Sequence, residues 1–125
     1  MGTTYDTGAL IAAERSDRRM WALHRRSLER GNVPTVPSGV LAQGWRGGPQ
    51  AQMSRLLAGC RVEDLTAPRA RSAGTACGVA GTSDVVDASV VVGAAARGDL
   101  IVTSDVGDLR RLRNAVSVAV ELLPI

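Results

Sequence analysis

Apolar positions along this chain alternate between short continuous runs and helix-like intervals, so it reads as strands and helices in turn. Thr3-Thr4-Tyr5-Asp6-Thr7 is a short β-prone run, and after Gly8 the stretch Ala9 to Arg15 favours helix, which sets Asp6 at the carboxyl end of a strand. Ser16-Asp17 caps a second helix that runs through Arg30. Met20, Leu23 and Leu28 form its apolar stripe against Arg18, Arg19, Arg25, Arg26 and Arg30, and Gly31 stops it. The basic face and His24 read as solvated surface. Val33 to Pro37 reads as a short strand, because its prolines do not fit a helix interior. Ser38 then caps a helix containing Val40, Leu41, Ala42 and Gln43. Arg46-Gly47-Gly48-Pro49 breaks that helix. A helix over Gln50 to Leu57, a strand at Cys60 to Leu65 and a small-residue helix around Pro68 to Val79 follow.

From Asp84 to Arg97 the pattern is helical and largely apolar, as in a helix lying on a sheet. Leu100 to Ser104 reads as a buried parallel strand with Asp105 at its carboxyl end. A short helix is expected at Val106 to Arg113, and Val116 to Val120 as the strand that closes the sheet. This alternation predicts an α/β fold, a central parallel sheet of about four to five strands flanked by helices and joined by right-handed crossovers. Ligands in such sheets bind at the carboxyl ends of the strands, where Asp6 and Asp105 lie.

The 125 residues suit one domain, residues 1–125, with a single core. A hydrophobic content of 45% with 22% charged residues is that of a globular chain and excludes the disordered class. The net charge of +3 favours an anionic partner such as nucleic acid. All 15 basic residues are Arg, with no Lys and no Phe, so codon bias accounts for much of that charge. Cys60 and Cys77 lack any metal-ligand spacing and read as free thiols. The longest apolar run, Val85 to Ala96, is interrupted by Asp87 and is too short to span a bilayer, which makes a cytoplasmic protein the expectation.

Asp6 and Asp105 at two strand ends, joined by Asp87 on the preceding helix, form a set of hard oxygen donors suited to Mg²⁺ or Mn²⁺. Such an ion can acidify a bound water and neutralise charge developing on a phosphate. Helix capping competes with that reading. Asp84/Asp87 and Asp105/Asp108 both have the three-residue spacing of a cap and a first-turn acid, and Asp84 and Asp108 are the two most readily assigned to structure.

Three motifs resemble the PIN-domain family, and within it the VapC-type toxins of toxin–antitoxin pairs. They are Tyr5-Asp6-Thr7-Gly8-Ala9-Leu10-Ile11, Asp84-Val85-Val86-Asp87-Ala88, and Ile101-Val102-Thr103-Ser104-Asp105 followed by Asp108-Leu109. The resemblance implies a single PIN-like domain with Asp6, Asp87 and Asp105 as metal ligands, directly or through water, and Thr103 or Ser104 as supporting hydroxyls. It implies a metal-dependent endoribonuclease using Mg²⁺ or Mn²⁺, RNA as substrate, a VapB-like antitoxin as partner, and a homodimer. One position departs from the family: Gln43 stands where a Glu is usual, which removes one negative charge from the catalytic set. The alternative is therefore a weakened PIN domain that binds RNA or antitoxin without appreciable cleavage. Phosphoacceptor and dehalogenase-like domains also gather strand-end aspartates, but the absence of Lys and of an Asp-x-Asp motif at Asp6 disfavours both.

Overall fold

A computed structural model describes every residue from Met1 to Ile125. The chain runs β1 (Thr3–Tyr5), α1 (Thr7–Glu14), α2 (Arg18–Glu29), β2 (Thr35–Pro37), α3 (Ser38–Gly44), α4 (Ala51–Ala58), β3 (Arg61–Glu63), α5 (Ala67–Ala80), α6 (Val85–Arg97), β4 (Leu100–Thr103), α7 (Val106–Ala115) and β5 (Leu122–Pro124). The five strands form one parallel sheet in the order β3-β2-β1-β4-β5. This is the α/β architecture expected from the sequence.

The strand order decides where a site can form. From β1 the chain moves outward through β2 to β3, then crosses back to β4 and β5. With right-handed crossovers the first two connections cover one face of the sheet and the last two cover the other. The packing agrees: α1 touches α2, α3 and α4, while α5, α6 and α7 touch one another. The connections diverge between β1 and β4, which pair from Thr3 with Leu100 to Tyr5 with Val102. That gap is the topological switch point.

The core lies on both sides of these central strands, with Tyr5, Leu10, Met20, Val36, Leu56, Val90, Ile101 and Leu109 fully buried. An ionic network ties the sheet together below them. Arg97 donates to Asp99 at 3.0 Å, to Glu63 at 2.6 Å and to Thr4 at 2.8 Å, and Thr4 donates to Asp99 at 2.9 Å. No single helix is long and apolar enough to cross a membrane. Cys60 and Cys77 are both unpaired.

Three local expectations are corrected. Val116 to Val120 is not a strand: Val116 caps α7, Ser117 takes a left-handed φ of 54°, and Leu122–Pro124 pairs with β4 instead. A proline is tolerated there because β5 is an edge strand. His24 is not on the surface but only 4% exposed, and its Nδ1 lies 2.9 Å from the Tyr5 hydroxyl. The buried stripe of α2 is Met20, His24 and Ser27, whereas Leu28 is exposed.

Candidate metal centre

β1 ends at Tyr5, and the next residue, Asp6, is 5% exposed and initiates α1. Its backbone N–H still belongs to the sheet, donating to Val102 O at 3.0 Å. β4 ends at Thr103, whose hydroxyl donates to Asp6 Oδ2 at 2.9 Å and accepts from the Asp105 backbone N–H at 2.9 Å. One side chain thus fixes two strand-end acids. Close packing of the two chain segments depends on Gly8, where a Cβ would come within 2.9 Å of the Ser104 backbone nitrogen.

The other acids arrive on helix starts. Asp84 caps α6 by accepting from the Asp87 N–H at 3.0 Å, and Asp105 caps α7, with the Asp108 N–H at 3.5 Å from Asp105 Oδ1. Capping and clustering therefore coexist: the caps orient the acids toward one rim of the sheet.

Electrostatics shows that these carboxylates sense one another. Asp6 is raised above the usual carboxylate range, first by burial and then by Asp105 and Asp84, against the lowering effect of hydrogen bonds from Thr7 and Thr103. Asp87 is pushed up to about 7 by burial and by Asp6, Asp84 and Asp108. The chain carries 15 arginines, yet Asp6, Asp84, Asp87 and Asp105 form no ion pair. Asp108 alone meets one, a 3.8 Å contact with exposed Arg111. Within this rim, Asp6 Oδ1 is buried without a hydrogen-bond partner, a costly arrangement for an acceptor.

No three His, Cys, Asp or Glu side chains stand close enough to enclose an ion by themselves. A magnesium-like ion keeps several waters and takes one or two carboxylates directly, so it does not require three enclosing side chains. An all-oxygen donor set with a buried unpartnered carboxylate oxygen fits that class of ion.

Of the remaining residues singled out from sequence, Ser104 is exposed and makes no hydrogen bond to the acids. Gln43, exposed on α3, is held at the rim through Thr7, whose hydroxyl donates to Gln43 Oε1 at 2.6 Å. This bond takes one lone pair of the only atom of Gln43 able to ligate a cation and leaves its amide N–H groups free to donate. Thr7 was absent from the residues expected at the site; a hydroxyl directly after a strand-end acid is the signal that pointed to it.

Two solved structures share this fold. One is VapBC2 from Rickettsia felis bound to a DNA fragment from their promoter, with a TM-score of 0.74 and 17% identity over 100% of this chain and 99% of that one. The other is PAE2754 from Pyrobaculum aerophilum, with a TM-score of 0.63 and 15% identity over 97% of this chain and 89% of that one. No protein-family model and no curated protein matches the sequence. The likeness is one of fold, and that fold is the single α/β domain with a central parallel sheet that the resemblance implied.

Proposed function

We propose that the chain is a Mg²⁺- or Mn²⁺-dependent endoribonuclease, the toxin member of a VapBC-like toxin–antitoxin pair acting in the cytoplasm. The observation that carries this reading is the uncompensated acidic rim: Asp6 with a buried unpartnered oxygen, and Asp87 and Asp105 beside it, free of ion pairs. When bound, a divalent cation would acidify a water and neutralise charge developing on a phosphodiester. Asp6, Asp87 and Asp105 are the residues that would hold it, directly or through water. Thr103 holds Asp6 in place, Asp84 and Asp108 add negative potential, and the Gln43 amide donates toward a phosphate oxygen.

The antitoxin reading draws on the likeness to the VapBC2 complex and on an apolar cleft of about 550 Å³ between α3, α4 and β3. Leu41, Leu57 and Val62 line it with Trp45, which is 42% exposed at the end of α3 and not packed away. An apolar segment of a VapB-like partner would cover these groups. A homodimer completes the proposed assembly.

A second reading is favoured by Gln43: a PIN-like domain that binds RNA or antitoxin and cleaves little, because its rim carries one carboxylate fewer. Incubation of the purified chain with total RNA, Mg²⁺ or Mn²⁺, and an EDTA control separates the two. Discrete fragments that vanish with EDTA establish the nuclease; intact RNA from folded, antitoxin-free protein establishes the binding domain.

A further inference from the structure

The acidic rim lies at the carboxyl ends of the strands, and a group of arginines without ion pairs lies at their amino ends. At the amino ends of β1 and β4, away from Asp6 and Asp105, a cavity of about 210 Å³ is lined by Thr3, Leu100, Leu23, Arg26, Arg30 and Asn32, and no carboxylate faces it. Its volume is room for roughly seven waters at about 30 Å³ each, ample for a tetrahedral oxyanion. Arg26 lies in the last turn of α2 and Arg30 caps its carboxyl end, and both line this cavity. Neither forms an ion pair.

The basic floor continues past this cavity. Thr3 also lines a neighbouring cavity with Arg61, which starts β3 and donates to Thr35 at 3.0 Å without meeting any acid. Arg97 faces the same space, but its charge is answered by Asp99 and Glu63. A helix carboxyl end attracts cations, which accounts for arginines near the end of α2. It does not account for Arg61 on another element, nor for a cavity walled by two free guanidiniums and an amide.

We propose that the Arg26, Arg30 and Asn32 cavity binds a backbone phosphate of an RNA whose cleaved segment lies at the acidic rim. Arginine forks match phosphate oxygens in bidentate geometry, and no aromatic side chain lines the cavity to stack a base, so contact here is sequence-independent. β1 and β4 are three and four residues long, which separates the two ends by at least roughly 10 Å of strand. An RNA that touches both ends must bridge at least that distance over the surface. The inference rests on the nuclease reading for the position of the cleaved bond, but the phosphate site is testable without cleavage.

The test is fluorescence anisotropy of a labelled RNA hairpin in EDTA over a salt series. It compares the unaltered chain with Arg26→Ala/Arg30→Ala and with Arg18→Ala/Arg19→Ala, which removes equal charge from the other end of α2. Both pairs are exposed and Ala favours helix, so melting temperatures should be preserved. Arg26→Ala/Arg30→Ala is expected to weaken hairpin binding about tenfold and to make the logarithmic salt slope shallower by about one to two. Arg18→Ala/Arg19→Ala should change neither. Equal losses in the two variants, or no loss in the first, would overturn the site. A stabilisation by inorganic phosphate that Arg26→Ala/Arg30→Ala abolishes, with hairpin binding unchanged, would assign it to the free anion and also overturn the proposal. With Mn²⁺, the KM for cleavage of the hairpin should rise in the first variant and not in the second. Loss of cleavage on every RNA, with the anisotropy result intact, would refute the nuclease reading and leave the phosphate site standing.

Discussion

The Thr103 hydroxyl donates to Asp6 Oδ2 at 2.9 Å across the β1–β4 pair, and the same oxygen accepts from the Asp105 backbone, so one threonine sets the geometry of two strand-end acids. Removing it while keeping the shape isolates that role. Thr103→Val should lower stability by about 1–3 kcal/mol in urea unfolding, because buried Asp6 Oδ2 then loses the hydroxyl that answers it. It should also weaken Mn²⁺ binding, and Thr103→Ser should restore both. Unchanged stability in the valine variant would refute the assigned role.

The pH dependence of stability contains opposed contributions, Asp6 and Asp87 being raised on folding and His24 lowered. Asp87 rises from 3.8 to about 7 on folding, so between those values the folded chain binds more protons than the unfolded one and stability falls as pH rises. His24 is lowered from 6.5 by burial, so the unfolded chain binds more protons below that value and stability falls as pH drops. In urea unfolding of metal-free protein, Asp87→Asn should reduce the loss of stability as pH rises toward 7, leaving the share that comes from Asp6 and the histidine slope. Mn²⁺ should produce a similar rescue in the unaltered chain at mildly alkaline pH. A loss of undiminished size in Asp87→Asn would contradict the assignment to Asp87.

Gln43 donates toward substrate in the proposed function, with its oxygen held by Thr7 at 2.6 Å. Gln43→Glu should keep the Thr7 bond, add a carboxylate, and tighten Mn²⁺ binding in calorimetric titration while weakening RNA binding measured in EDTA. Tighter RNA binding in that variant would exclude the donor role.

Arg97 bridges β1, β3 and the β4 entrance through Thr4, Glu63 and Asp99. Arg97→Met should cost about 3–5 kcal/mol, since it strands Asp99, only 8% exposed, without its cation. Chemical denaturation checks this, and a loss smaller than that of an exposed arginine such as Arg110→Met would contradict it.

Much of the fold is legible in the sequence because its signals are local. The runs at β1 and β4 are short, buried and rich in β-formers, and an acid follows each, so the residue pattern alone sets Asp6 and Asp105 at strand ends. Asp84 and Asp108 read as caps because capping is also local, and both do lie at the starts of their helices. What escapes a sequence reading depends on distant partners. Val116 to Val120 has the valine alternation of a strand, but the left-handed Ser117 and the register with Ile101 to Thr103 give that place to β5. His24 lies beside Arg25 and Arg26 in sequence, and only the Tyr5 hydroxyl across the core explains its burial. The Thr7–Gln43 bond spans 36 positions, a juxtaposition no spacing rule reports.

The most direct test of the acidic rim is calorimetric titration of Mn²⁺ into the metal-free chain and into Asp6→Asn, with unfolding curves to establish that both are folded. The expected result is saturable binding to the unaltered chain that Asp6→Asn loses while remaining at least as stable as the metal-free parent. Absence of Mn²⁺ binding to the unaltered chain, or equal binding to Asp6→Asn, would contradict the rim as a divalent-cation site.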